Sequence, residues 1–445
     1  MPDAEDPRAA FLDAAVWHGT LDRAAAILTA HPEVASSDIH TAAILGDAAA
    51  VRRFLELDPA SATARRGPRG WDALTHLCFS KYLRLDPARS DGFVQAAAAL
   101  LDAGADPNTG WYEMNHQPAP EWESVLYGAA GVAHHAGLTR LLLERGADPN
   151  DEETPYHSPE TDDNGALQAL LDSGKLSADS LATMLLRKAD WHDYAGSRLL
   201  LEAGADPNRM TRWHLTALHQ AVRRDNALAN IELLLDHGAD ATLANRADGR
   251  SAVAIAARRG RGDVLALLER RGVAVDLEGL DRLIAACARN DAAAVQSIAR
   301  QEPSLVRGLI AEGGRLLGEF AGNGNNDGIR RLMELGVEIG ALFKEGDGYW
   351  DVAADSTALH VAAWRAQHAT VQLLLERGAS VNQPDGRGRT PLALAVRACV
   401  DSYWMWRRSP ESVAALLDAG ASPHGIVVPS GYGEIDDLLR RHSGS

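Results

Sequence analysis

Arg140-Leu-Leu-Leu-Glu-Arg-Gly-Ala-Asp-Pro-Asn150 is the clearest copy of a phrase that returns along this chain. It recurs as Leu100-Leu-Asp-Ala-Gly-Ala-Asp-Pro-Asn108, Leu199-Leu-Leu-Glu-Ala-Gly-Ala-Asp-Pro-Asn208, Leu233-Leu-Leu-Asp-His-Gly-Ala-Asp240, Leu373-Leu-Leu-Glu-Arg-Gly-Ala-Ser-Val-Asn382 and Leu416-Leu-Asp-Ala-Gly-Ala-Ser-Pro423. Each copy reads as the end of an amphipathic helix: leucines for burial, then a glycine that takes the left-handed conformation and closes the helix. Asp-Pro-Asn then begins a turn, because proline stops the helix and Asp and Asn bond nearby backbone. A helix that keeps ending in the same way implies a repeated unit.

The closing glycines fall at 104, 146, 204, 238, 272, 336, 378 and 420, and two of the intervals are 34 residues. Three stretches that open units, Thr216-Ala-Leu-His219, Thr357-Ala-Leu-His360 and Thr390-Pro-Leu-Ala393, precede the Leu-rich helix in the same register. Opening, ending and spacing together resemble the ankyrin repeat, whose period is about 33 residues. The resemblance implies an all-α solenoid of helix-turn-helix units with short β-hairpin fingers, about eleven or twelve units in one continuous array.

On this register residues 1–10 form an N-terminal tail, 11–424 the array, and 425–445 a C-terminal capping segment. The units at 11–66 and 277–340 lack the Thr-Pro-Leu-His opening and read as degenerate. Insertions are expected at 80–91, 109–123, 151–164, 341–356 and 400–410, with an extra helix near Ala166 to Asp172. Loops of that length tend to carry function.

The 445 residues carry a formal charge of −17, which argues against nucleic acid or an anionic membrane as partner. No apolar run approaches the ~18 residues of a membrane span, and the acidic start lacks a signal pattern, so a cytoplasmic location is expected. Cys78, Cys287 and Cys399 lie too far apart for metal-ligand spacing and read as reduced thiols. Richness in Ala, Arg and Asp points to a GC-rich bacterial source.

In the fold that the resemblance implies, the fingers and the first helix of each unit line a concave groove, and the opening His219 and His360 are structural. Counting from the opening motif places His76 and Phe79, Gly128 and Gly131, Arg187 and Asp190, and Gln220 and Arg223 on the groove side. Gly128 and Gly131 are expected to leave a bare floor. Around it stand finger residues Trp111, Tyr112, Glu113, His116, Glu121 and Trp122, then Glu152, Glu153, Tyr156 and His157, with Trp71 and Trp213 opening neighbouring units. Tryptophan offers large contact area and one donor, as interaction anchors do.

Two functions compete. The favoured one is non-enzymatic recognition of a protein or peptide in the groove of the middle repeats, with no metal and no cofactor. The alternative is a small-molecule or catalytic pocket roofed by the fingers, with His76 and Asp190 for acid-base work and Arg187 to hold an anion. Asp190-Trp-His-Asp-Tyr194 looks catalytic, but the register puts Trp191 to Asp193 in the turn between helices. No phosphate loop, nucleophile elbow or Cys-His pair accompanies it. Near the C-terminus, Ser402-Tyr-Trp-Met-Trp-Arg-Arg408 is read as either a docking patch, including self-association through 402–408, or a self-packed insertion.

Overall fold

A computed structural model describes residues 6–443, in two compact units, Met1–Asp240 and Ala241–Ser445. Both are stacks of helix pairs. In the first unit the pairs are Pro7–Ala14 with Asp22–Ala30, Ile39–Ile44 with Ala48–Leu57, Ala73–Cys78 with Ser90–Asp102, and Val125–Tyr127 (continued by Gly128–Val132) with Ala136–Glu144. They continue as Glu153–His157 with Gly165–Asp172, Ala178–Asp190 with Tyr194–Glu202, and Ala217–Arg223 with Leu228–Asp236. The second unit repeats the plan from Ala252–Arg258 to Glu411–Asp418 and ends on the helix Gly433–Ser443.

The recurring phrase builds each pair as its chemistry requires. All eight closing glycines have φ between 77° and 101°, where a side chain would be strained. The leucines before them, such as Leu142, Leu143, Leu200, Leu201, Leu373 and Leu374, are buried, each contributing about 2 kcal/mol of burial. Two of the three openings are capping boxes: the Thr216 hydroxyl and His219 Nδ1 are 2.7 Å apart, and Thr357 and His360 repeat this at 2.8 Å; at the third the Thr390 hydroxyl accepts from the Ala393 amide alone. His360 Nε2 lies 2.9 Å from the Gln383 carbonyl of the following unit.

The asparagine that ends the phrase has a role beyond its turn. Asn108 donates to the Gly146 carbonyl at 3.2 Å and accepts from the Asp148 amide at 2.8 Å. Asn208 does the same with Gly238 and Asp240, and Asn382 with Gly420 and Ser422. Each therefore ties one closing turn to the next and satisfies backbone groups that the helix end exposes.

Asn150 makes the same pair of bonds to the Lys175 carbonyl and the Ser177 amide. This identifies residues 151–177 as a repeat of its own. The expected insertion at 151–164 and the extra helix are its two helices: Glu153–His157 packs with the first-helix row, and Gly165–Asp172 packs between the second helices of its neighbours. Its first helix is a single turn, so its periodicity is too short to read from sequence.

Insertion 109–123 forms the one two-stranded sheet among the described residues. Strand β1 (Gly110–Glu113) pairs antiparallel with β2 (Glu121–Ser124), Trp111 facing Glu123 and Glu113 facing Glu121. Insertion 80–91 is a clasp rather than a finger. Its helix Lys81–Leu85 sends Lys81 Nζ to the Ala14 carbonyl (2.8 Å) and Arg84 to that of Gly19 (3.0 Å). The Trp17 amide in turn donates to the Phe79 carbonyl at 2.8 Å, which fixes Trp17 against the third repeat.

In the second unit, insertion 341–356 carries the isolated bridges Phe343↔Ser356 and Asp347↔Val352. Trp350, Trp364 and Trp404 are buried together, with Trp364 Nε1 donating to the Trp350 carbonyl and the Arg365 guanidinium 4.6 Å and 4.8 Å from the rings of Trp350 and Trp404. Insertion 400–410 therefore packs part of itself inward, and leaves Tyr403 and Trp406 exposed.

Candidate functional site

A continuous row of rings crosses the first unit. Trp17 lies 5.1 Å from Trp111 and 5.3 Å from Phe79; Trp111 lies 4.9 Å from Trp71, and Phe79 5.9 Å from Tyr127. Tyr127 continues to His157 at 5.1 Å, His157 to Tyr156 at 4.7 Å, and Tyr156 to Trp213 at 5.4 Å. These separations suit tilted and edge-to-face ring contacts. The row has a buried root and an accessible edge: Trp71 and Phe79 are buried, whereas Trp17, Trp111, Tyr156 and Trp213 are half-buried.

A polar chain runs beside the rings. Glu153 and Glu160 flank His157 at 3.1 and 3.0 Å. Glu160 and Asp190 both pair with Arg187, whose guanidinium sits 4.1 Å from the Tyr156 ring centre. Asp190 also accepts from Gln220 at 2.6 Å and Arg224 at 2.7 Å. Arg212 spans Glu152 at 2.9 Å and the faces of Tyr156 and Trp213. Charges alternate in sign along this chain, so each holds its neighbour in place.

Alternation fails at the finger. Trp111, Glu113, Glu121 and Glu123 share one face of the hairpin, because facing residues and those two positions along a strand point the same way. Tyr112 and Trp122 take the other face, ring to ring at 4.9 Å. Glu123 is 5% exposed, and its Oε2 is buried with no hydrogen-bond partner among the described residues. Burial, then the nearby Glu153, push the Glu123 carboxyl up to about 8, with Glu121 and Glu113 adding and His157 opposing. Glu121 is raised by burial and by Glu153, with which it shares a carboxyl–carboxyl hydrogen bond; His116 lies 3.0 Å away. Burial lowers the affinity of His157 for its proton, but the bonds to Glu153 and Glu160 outweigh it and bring it to about 9.

Both His157 and Glu123 bind their protons more tightly folded than unfolded. Their contributions are complete below their ordinary values of 6.5 and 4.5 and are lost as pH rises through about 9 and about 8. The first unit is expected to lose on the order of 3 kcal/mol as His157 deprotonates. Thermal melts should show a falling midpoint between neutral pH and pH ~9.5, and Glu123→Gln should flatten its lower part. A midpoint that holds or rises there would contradict these protonation states.

The bare floor expected over Gly128 and Gly131 is filled. A Cβ on Gly128 would press on the Cys78 carbonyl at 3.0 Å, and one on Gly131 would meet the Tyr127 ring at 2.7 Å and His157 at 2.9 Å. These glycines let the first helix of their repeat approach its neighbours closely. His76 does not join Arg187 and Asp190: it is buried, its Nδ1 is 2.9 Å from the Asp72 carbonyl, and its ring packs on His40 and Trp71. Gln220 is buried on Asp190, and Arg223 is exposed at the end of its helix.

A cavity of about 480 Å³ opens at the finger and takes residues from both its faces, lined by Arg65, Arg69, Trp71, Trp111, Tyr112, Glu113, Met114, Asn115 and Trp122. Among the described residues no three His, Cys, Asp or Glu side chains converge as metal ligands would, and no helix is long and apolar enough to cross a membrane.

Sequence reasoning missed Trp17, Tyr127, Glu123, Glu160, Lys188 and Arg212. Trp17 carried a signal, a tryptophan in an inter-helix turn where Gly or a polar residue is usual, and its φ of 67° reflects its unusual setting.

Comparison with known proteins agrees with the repeat architecture. Residues 185–279 and 282–424, together more than half of the chain, match the family described as ankyrin repeats (3 copies). Over 231 residues the chain is 31% identical to human ankyrin repeat and SOCS box protein 16, covering 51% of this chain and 42% of that protein. It is 41% identical over 80 residues to human cyclin-dependent kinase 4 inhibitor B (18% and 56%), and 35% identical over 100 residues to serine/threonine-protein kinase 12 of Arabidopsis thaliana (22% and 20%). The chain spans 56% or less of each of these relatives. Helix pairs, capping boxes, closing glycines and the matched stretches lead to one conclusion: the chain belongs to the ankyrin-repeat family.

Proposed function

We propose that the chain is a recognition scaffold, and that its first unit binds a protein segment along the row of rings from Trp17 to Trp213. Ankyrin repeats in general are protein-interaction scaffolds, and the names of two relatives, a SOCS box protein and a kinase inhibitor, fit that role. The observation that carries the reading is the row itself. It presents half-buried aromatic edges held rigid by Arg187 and Arg212, the composition and stiffness of interaction hot spots. With three buried cysteines, none in a disulfide, we place this activity in the cytoplasm.

A photo-reactive benzophenone amino acid in place of exposed Glu152, which borders the row, is expected to crosslink one stoichiometric partner in cells. The same group in place of Trp191, in an inter-helix turn, is expected to crosslink none. Equal capture at both positions would contradict the reading.

A second reading rests on the 480 Å³ cavity, where three tryptophans and two arginines suit a small aromatic carboxylate. It requires such a compound to raise the melting temperature of the wild type and not of Trp122→Ala; a screen of aromatic carboxylates without a hit removes it.

A further inference from the structure

The finger face that carries Glu113, Glu121 and Glu123 is costly to build, since like charges directly opposite each other in a strand pair repel. Elsewhere along the polar chain a cation answers every carboxylate, as Arg187 answers Glu160 and Asp190, and His157 answers Glu153. Here exposed His116 is the one cation in direct contact among the described residues, and it reaches Glu121; His157 and Arg212 act on Glu123 and Glu121 only through space. Glu123, nine-tenths buried, keeps an oxygen without a hydrogen-bond partner among the described residues. At this pole Trp111 stands directly opposite Glu123 in the strand pair, Tyr127 lies close enough for Glu123 to raise its phenol, and Trp17 touches both rings; the faces of such rings attract cations. A chain of net charge −17 also steers cations toward itself.

We propose that this pole receives an arginine side chain of the bound segment, with the guanidinium lying among the rings of Trp17, Trp111 and Tyr127 and donating to Glu121 and Glu123. The inference rests on the scaffold reading and names the chemistry of one anchor. Arginine suits the place because its planar fork can stack on a ring and serve two carboxyls at once. Its arrival displaces protons: the carboxyl of Glu123 and the one shared by Glu121 and Glu153 ionise when a permanent cation takes over their compensation. The other charged or titratable groups facing Glu123 are Glu113, His157 and Tyr127.

The test uses the full chain and two synthetic Gly-Ser pentapeptides, one with a central arginine and one with citrulline, its neutral isostere. Titration calorimetry near neutral pH, in two buffers of different ionisation heat, is expected to show the arginine peptide binding at least about tenfold tighter and releasing protons. Glu123→Gln and, separately, the more exposed Glu113→Gln should each shrink that preference with circular dichroism unchanged. Equal binding of the two peptides, no detectable heat from either at millimolar concentration, or an undiminished preference in a folded Glu123→Gln chain would overturn the inference. If the peptides fail while the Glu152 crosslink persists, the arginine anchor is wrong and the scaffold reading stands; if the crosslink is lost as well, both fail.

Discussion

Asp193→Ala is expected to destabilise the first unit by about 3–5 kcal/mol, because it leaves a buried lysine without its counter-ion. Lys188 is 0% exposed and its ammonium donates to Asp193 Oδ2 and the Thr161 carbonyl, both at 2.7 Å. Burial pushes the Asp193 carboxyl up, yet the Gly196 amide, Lys188 and Asn164 together bring it below the usual carboxylate range. Gly196 is required for this approach, since a Cβ there would fall 2.5 Å from both Lys188 and Asp193. The double change Lys188→Met with Asp193→Asn removes both charges and keeps a capping acceptor for Gly196. It should recover all but about 1 kcal/mol of the loss. Denaturant titration of the two variants beside the wild type decides; a loss below about 1 kcal/mol for Asp193→Ala would show that the pair is not desolvated.

Arg187→Ala has the second largest effect expected of a substitution, about 2–3 kcal/mol, and a different character. It takes the shared cation from Glu160 and Asp190, but each keeps other partners: His157 for Glu160, and Gln220 and Arg224 for Asp190. It also frees Tyr156, which loses the guanidinium over its ring and the bond from Arg187 Nε to its carbonyl at 3.3 Å. Arg187→Lys should restore little, since an ammonium cannot stack and bridge two carboxylates together. A near-wild-type melting midpoint for Arg187→Ala would show that the polar chain does not support the row.

What the sequence showed followed from local chemistry. The closing glycines, the Thr-x-x-His openings and the leucine stripes each act within a few residues, so their positions carry over directly into helix ends, caps and buried faces. Trp111, Tyr156, His157, Arg187 and Trp213 were legible because finger and helix register place them. What escaped depended on contacts between distant segments. Trp17 joins the row only because the clasp at Lys81–Leu85 reaches back to the first repeat, and the repeat at 151–177 hides its single-turn first helix. Gly128 and Gly131 showed the limit of register reasoning: position alone gives a bare floor, whereas Tyr127 and His157 close over it. The residues from Gly110 to Glu160 also lie outside the stretches that match the family.

The central claim is that the ring row of the first unit is the recognition surface. It is tested most directly by the affinity of the purified crosslinked partner for the wild-type chain and for Tyr156→Ala, Trp213→Ala and Trp191→Ala. The account predicts that loss of either row residue weakens binding by about 30-fold, a hot-spot effect, with circular dichroism intact, and that Trp191→Ala leaves it within about twofold. Unchanged affinity in folded Tyr156→Ala and Trp213→Ala would contradict it.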